Sequence, residues 1–290
     1  MVGKSHVDEV SGTETTGHEW DGIRELDTPL PRWWLYIFYA TIIWSFGYFI
    51  AYPAIPMVSS YSKGMLNYSS RREVAEQMAS AKASQQVYLD RLATASLEDI
   101  RTDPDLLAFA LAGGRAAFNV NCTQCHGAGA QGVRGYPNLN DDEWLWGGTP
   151  TAIQFTITHG IRNDQSDETR VSAMPAFLKD GTLDAAAVND VAEYVLSLSA
   201  AGTDREAAQR GKKIFADTCT DCHGVTAAGN SEVGAPALNN AIWLYGGDKK
   251  TVVETISYGR GGVMPAWGRI LDKVTIKKLT VYIHSLGGGK

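Results

Sequence analysis

Hydropathy changes abruptly along this chain. Residues 1–31 are polar, acidic and rich in Gly and Thr, and are expected to be disordered, with His6 and His18 plain solvent-exposed side chains. From Trp33 to Ala54 the chain is apolar almost throughout, and no charged residue falls between Arg32 and Lys63. About 20 apolar residues cross a bilayer as one helix, so residues 32–56 are predicted to be a membrane span. Trp33, Trp34, Tyr36, Phe38 and Tyr39 crowd one end and Tyr48, Phe49 and Tyr52 the other, as suits two interfaces, and Pro53 and Pro56 mark the exit. A buried soluble helix would be shorter and less evenly apolar. A cleaved signal peptide does not suit the acidic lead and long apolar run, so an uncleaved anchor is expected.

Beyond the span, residues 57–69 form a Tyr/Ser/Gly/Asn-rich connector, and Ser70-Arg71-Arg72-Glu73 has the capping-box pattern ahead of an Ala/Gln-rich helix to about Ala95. Ser96-Leu97-Glu98-Asp99 and Pro104 announce further helix starts. Residues 57–105 thus read as a linker containing a helix, a spacer or docking surface.

After residue 106 the chain repeats itself. Gly114-x-x-x-Phe118 returns as Gly211-x-x-x-Phe215, and Tyr136-Pro137-Asn138-Leu139 as Ala235-Pro236-Ala237-Leu238. Trp144-Leu145-Trp146-Gly147-Gly148 matches Trp243-Leu244-Tyr245-Gly246-Gly247, and His159-Gly160 matches Tyr258-Gly259. The first copy has extra residues around Asn163–Thr169; then Met174-Pro175 matches Met264-Pro265, and a closing helix ends each copy. Two domains are expected, 106–200 and 204–287, joined by a linker at 200–205 in which Thr203 or Asp204 caps the next helix. Each copy is too small for a large core of its own.

Each copy also carries Cys-x-x-Cys-His: Cys122, Cys125 and His126, then Cys219, Cys222 and His223. This is the attachment signature of c-type haem, with two thiols forming thioethers and the adjacent His becoming an axial iron ligand. The motifs use all four cysteines of the chain, leaving none for a disulfide. A thioredoxin-like site needs no His behind its cysteines, and zinc-sharing pairs lie much closer together. Two covalently bound haem c groups are therefore expected, each a bulky apolar body around which short helices pack.

An electron-transfer haem needs a second strong ligand, and thioether sulfur opposite imidazole raises the potential. Of six methionines only Met174 and Met264 lie after residue 100, each in a Met-Pro loop. The expected iron ligands are His126, His223, Met174 and Met264. Pairing within each copy gives His126 with Met174 and His223 with Met264; loops exchanged between copies give His126 with Met264 and His223 with Met174. Both remain open at this level. With six-coordinate irons there is no open substrate site, and no catalytic residue is assigned.

Charge alters the picture little. Seven carboxylates against Lys4 and Arg24 place five of the six net negative charges in residues 1–31. The near-neutral remainder argues against nucleic acid as a partner. Cations flank the span on both sides (Arg24 and Arg32 before it, Lys63, Arg71 and Arg72 after), so charge does not decide orientation. The haem motifs do, because bacterial c-type haem is attached outside the cytoplasmic membrane: N-terminus cytoplasmic, haem domains periplasmic, one pass through the inner membrane.

The order of these features resembles a known family. The tail ending His18-Glu19-Trp20-Asp21-Gly22-Ile23, then Pro29-Leu30-Pro31-Arg32-Trp33-Trp34, one span and two haem motifs, is similar to the FixP/CcoP dihaem subunits of cbb3-type cytochrome c oxidases. The resemblance implies a mainly α fold: a single N-terminal transmembrane helix followed by two tandem class I cytochrome c domains. It implies electron relay from a cytochrome c or quinol–cytochrome bc donor, and partnership with a haem–copper catalytic subunit and a monohaem cytochrome c subunit. The alternative is a membrane-anchored dihaem shuttle or the cytochrome subunit of a periplasmic dehydrogenase. In class I cytochromes c the axial His donates to a proline carbonyl, here that of Pro137 or Pro236. Trp144 and Trp243 are candidate donors to haem propionates, and Arg134, Arg162 and Arg260 candidate counter-charges. His159 and His284 are expected not to ligate iron.

Overall fold

The computed structural model describes residues 5–199 and 204–287; Thr203 and most of the expected linker lie outside the described residues. Two compact units form, one up to Ser84 and one from Gln85.

The first unit opens on a hairpin of β1 (Thr15–Trp20) and β2 (Ile23–Leu26), with Trp20 opposite Ile23 and Glu19 opposite Arg24. This corrects the expectation of disorder across the tail. Asp21 (φ 50°) and Gly22 (φ 84°) both take positive φ, as the two-residue type I′ turn requires, and Asp-Gly is the strongest short signal for it. Thr15 is buried and the turn end of the hairpin exposed, with Arg24 Nε 2.7 Å from Glu19 and His18 stacked on Trp20.

α1 (Arg32–Ala51) has 20 residues, about 30 Å at 1.5 Å per residue, the thickness of a bilayer's hydrocarbon core. None of its side chains is buried within the chain. It stops five residues short of the expected end because Tyr52 precedes Pro53 and is pushed to extended backbone (φ −114°, ψ 161°). α2 (Ser70–Thr94) starts at the residue expected to cap it, and the cap falls one residue earlier: Ser69 Oγ accepts from the Arg72 N–H at 3.4 Å.

The second unit is helical: α3 (Leu97–Thr102), α4 (Pro104–Asn121), α5 (Thr123–His126), α6 (Pro150–His159), α7 (Ala185–Leu198), α8 (Arg205–Thr218), α9 (Thr220–His223), α10 (Lys249–Tyr258) and α11 (Lys273–Ser285). Side-chain caps recur at matching places in both repeats, Thr149 with Asp248 and Asp184 with Asp272, and Asp204 caps α8. Each satisfies helix-start N–H groups that have no intrahelical acceptor.

The repeats do not close on themselves. α4 of the first packs along α11 of the second, and α8 of the second along α7 of the first; α6 meets α11 and α10 meets α7. One core gathers Phe118, Ile153 and Ile157 with Ile276, Leu279 and Ile283; the other gathers Val188, Val191 and Val195 with Phe215, Val252 and Ile256. The boundaries 106–200 and 204–287 thus describe sequence copies, whereas each packed half borrows its last helix from the other copy. The short connection between Leu198 and Arg205 accounts for this, since a short loop makes consecutive helices antiparallel neighbours. With α7 taken by α8, the flank of α4 is left for α11.

The crossings are close. A methyl group at Gly114 would overlap the Lys278 carbonyl oxygen, and one at Gly211 that of Asp190. Phe118 and Phe215, one turn further along, are then fully buried, each worth about 1.5–3 kcal/mol. A buried charge follows the same exchange: Glu193 on α7 is 1% exposed, with Lys249 Nζ of α10 at 2.7 Å and the Asp204 N–H at 3.2 Å. A third cluster, Leu92, Ile100, Leu106, Ala110 and Val281, ties the end of α2 to α4 and α11, where Lys277 Nζ donates to the carbonyls of Leu92, Ala93 and Ala95.

Candidate metal centres

Each Cys-x-x-Cys-His motif is a single helical turn, α5 or α9, set on the end of the helix carrying the Gly-x-x-x-Phe pair. The turn leaves the first Cys half-buried and the second exposed, in both copies. Burial, and the neighbouring Cys125 or Cys222, push the Cys122 and Cys219 thiols up to about 11.

The loop after each motif returns over the His. His126 Nδ1 lies 3.0 Å from the Pro137 carbonyl and His223 Nδ1 2.9 Å from that of Pro236. A carbonyl only accepts, so the proton sits on Nδ1 and the Nε2 lone pair is free for a metal. Burial holds both imidazoles below the usual histidine range, partly opposed by these same bonds, which favours the neutral ligating form.

The clefts facing these histidines are lined by residues of both copies. Phe118, Cys122, His126, Trp144, Leu279 and Ile283 line the first, and its methionine is Met264. Phe215, Cys219, Cys222, His223, Trp243 and Ile256 line the second, and its methionine is Met174. Each methionine therefore shares a cleft with the His of the other copy. Backbone explains how they get there: Ile161 and Met264 exchange both N–H···O bonds at 3.0 Å, and Gly160 and Gly259 pass so close to the Met264 and Met174 carbonyls that a side chain at either would collide.

Two observations test whether a haem fits. The clefts enclose about 750 Å³ and 1250 Å³ of non-protein space, both partly open to solvent, with mostly apolar walls, as suits a bulky apolar ligand. In the first, the indole N–H of Trp144 is buried with no acceptor among the described residues, which costs about 1–3 kcal/mol unless a ligand supplies one. A haem propionate is such an acceptor, and the residues fit the group. Trp144→Phe is accordingly expected to lower the first haem's potential by on the order of 20–60 mV, since losing a donor to an anion near a one-electron centre is worth up to about 1.4 kcal/mol. Redox titration checks this; an unchanged potential would mean the indole meets no propionate.

The three candidate arginines each have protein partners. Arg134 Nη2 donates to Thr251 Oγ1 at 3.0 Å, Arg260 pairs with Glu254 at 2.9 Å beneath the Tyr245 ring, and Arg162 donates to backbone carbonyls. Sequence reasoning passed over Arg170, which stacks on both Trp146 and Phe155 at about 5 Å. His159 Nδ1 lies 3.1 Å from Ser166 Oγ and its ring meets that of Phe155 at a tilt, while His284 sits half-buried beside Arg101 and Glu98. Among the described residues no cluster of three or more His, Cys, Asp or Glu could hold a bare metal ion.

Comparison with known proteins covers the whole chain. Residues 12–59 match the N-terminal domain of cytochrome oxidase-cbb3, FixP; residues 111–199 match cytochrome c; residues 206–283 match cytochrome c oxidase, cbb3-type, subunit III. The chain is 55% identical to the cbb3-type cytochrome c oxidase subunit CcoP of Azospirillum brasilense over 100% of both chains. It is 54% identical to subunit FixP of Rhizobium meliloti over 98% of both.

Proposed function

The chain belongs to the CcoP/FixP family of cbb3-type cytochrome c oxidase subunits and carries two covalent haem c groups, and we propose that its irons are ligated across the repeats. His126 pairs with Met264 on the haem attached through Cys122 and Cys125. His223 pairs with Met174 on the haem attached through Cys219 and Cys222. The observation carrying this reading is the lining of the two clefts, where each histidine shares a cleft with the methionine of the other copy.

When bound, the haems supply reversible one-electron transfer. The protein's part is to hold and tune them. Pro137 and Pro236 fix the histidine tautomers, the methionines raise the potentials, and Phe118, Leu279, Phe215 and Ile256 exclude water.

As an oxidase subunit the chain works with the other subunits of that enzyme. The finer reading is that electrons enter from a soluble cytochrome c or the quinol–cytochrome bc complex. They leave towards a haem–copper catalytic subunit alongside a monohaem subunit. α1 is long and apolar enough to anchor the chain; placing the N-terminus in the cytoplasm and the haems in the periplasm of the inner membrane is supported by where bacteria attach c-type haem. Mild-detergent purification through a C-terminal tag is expected to recover b-type haem and copper with the chain. Recovery of this subunit alone would favour the free shuttle or dehydrogenase reading.

A further inference from the structure

Beside the Ile161–Met264 backbone bridge, one side chain bonds both methionine loops. Arg162 follows Ile161, whose backbone is bridged to Met264, and takes φ 48°, a left-handed conformation few non-glycine residues adopt. Its N–H donates to the Arg170 carbonyl at 2.6 Å, which fixes this unusual turn. The guanidinium then divides its donors. Nε donates to the Gly262 carbonyl at 2.7 Å, and Nη1 donates to the Ser172 carbonyl. Gly262 lies two residues before Met264, and Ser172 lies two residues before Met174. One planar fork thus grips both methionine loops, a task suited to the rigid, many-donor geometry of Arg and not to Lys.

Two further features support this. Gly261 leaves room for the group, since a Cβ there would come 3.0 Å from Arg162 Nε. Gly261 is also the residue that aligns with Arg162 in the second repeat, so the duplicated pattern holds a single arginine at this crossing. Arg162 is half-buried in the wall of the second cleft, yet both these acceptors are neutral backbone carbonyls.

We propose that Arg162 is a positioning residue that sets both axial methionines at once, coupling the ligation of the two haems. This rests on the cross-repeat ligation proposed above. Without the fork the Met174 loop loses its bond at Ser172 and the Met264 loop loses its bond at Gly262, keeping only the backbone pair with Ile161, and both sulfurs become free to drift from their irons.

The test uses the full, haem-loaded chain and compares Arg162→Gln, Arg162→Lys, Met174→Ala and Met264→Ala by optical redox titration and by the sulfur-to-iron charge-transfer band. Loss of a positive charge by itself lowers nearby potentials, so the band, which reports sulfur on iron, is the deciding readout. Arg162→Gln is expected to weaken the band of both haems and lower both potentials, with two haems per chain retained. Each methionine variant is expected to abolish the band of one haem only. Arg162→Lys, a single ammonium of the same charge, is expected to restore one haem and leave the other weakened. If the methionine variants behave as expected while Arg162→Gln leaves both bands intact or affects only one, the clamp is refuted and the ligands stand. If neither methionine variant changes a band, the ligand assignment itself fails and the clamp with it. Should Arg162→Gln not load haem, Arg162→Lys decides: two wild-type bands would overturn the proposal.

Discussion

Gly114→Ala is expected to destabilise the haem-bearing unit by about 1–3 kcal/mol, the usual cost of forcing an extra group into a packed site. The new methyl group would meet the Lys278 carbonyl oxygen of α11, and a backbone atom in a helix cannot swing aside. The adjacent Gly113→Ala is the control. There the nearest atoms belong to the flexible Lys278 side chain, and replacing a helical Gly by Ala gains about 1 kcal/mol of propensity. Thermal unfolding of the two variants should therefore diverge, Gly114→Ala falling by roughly 2–12 °C, since 1 kcal/mol moves the Tm of a unit this size by about 2–4 °C. Gly211→Ala repeats the experiment at the other crossing, against Asp190. Equal melting of Gly113→Ala and Gly114→Ala would contradict the close α4–α11 contact.

Met264→Ala is expected to lower the potential of one haem by on the order of 100 mV or more, within the span of about 0.8 V that axial ligands command. Thioether sulfur favours the reduced iron, so its removal favours the oxidised one. The haem affected should be the one attached at Cys122 and Cys125, although Met264 lies in the second copy. Met174→Ala should do the same to the haem at Cys219 and Cys222. Optical titration resolves the two components. Unchanged potentials in both variants would refute the axial roles.

Much of this was legible in the residues. The Cys-x-x-Cys-His motifs named the cofactor, counting left Met174 and Met264 as the available sulfurs, and the resemblance to class I cytochromes c implied Pro137 and Pro236 as acceptors. The exchange between copies was not legible, because offsets that align the copies are the same whichever methionine crosses. One signal did bear on it: the few residues between α7 and α8 favour a helical hairpin, and that hairpin spends the helix the first copy needs to close on itself. The N-terminal hairpin was hidden for a different reason. Acidic composition argued for disorder, while Asp21-Gly22 supplied a local turn that composition does not register. For the arginines, sequence gives charge but not reach, so the bonds of Arg162 to the Gly262 and Ser172 carbonyls were not legible.

The exchange of methionine loops is the claim on which the rest depends, and a chain with one haem tests it most directly. Replacing Cys219 and Cys222 by Ala leaves only the haem at Cys122, Cys125 and His126, and its sulfur-to-iron charge-transfer band can be followed alone. Met264→Ala in that background is expected to abolish the band while Met174→Ala leaves it in place; loss of the band with Met174→Ala and its survival with Met264→Ala would contradict ligation across the repeats.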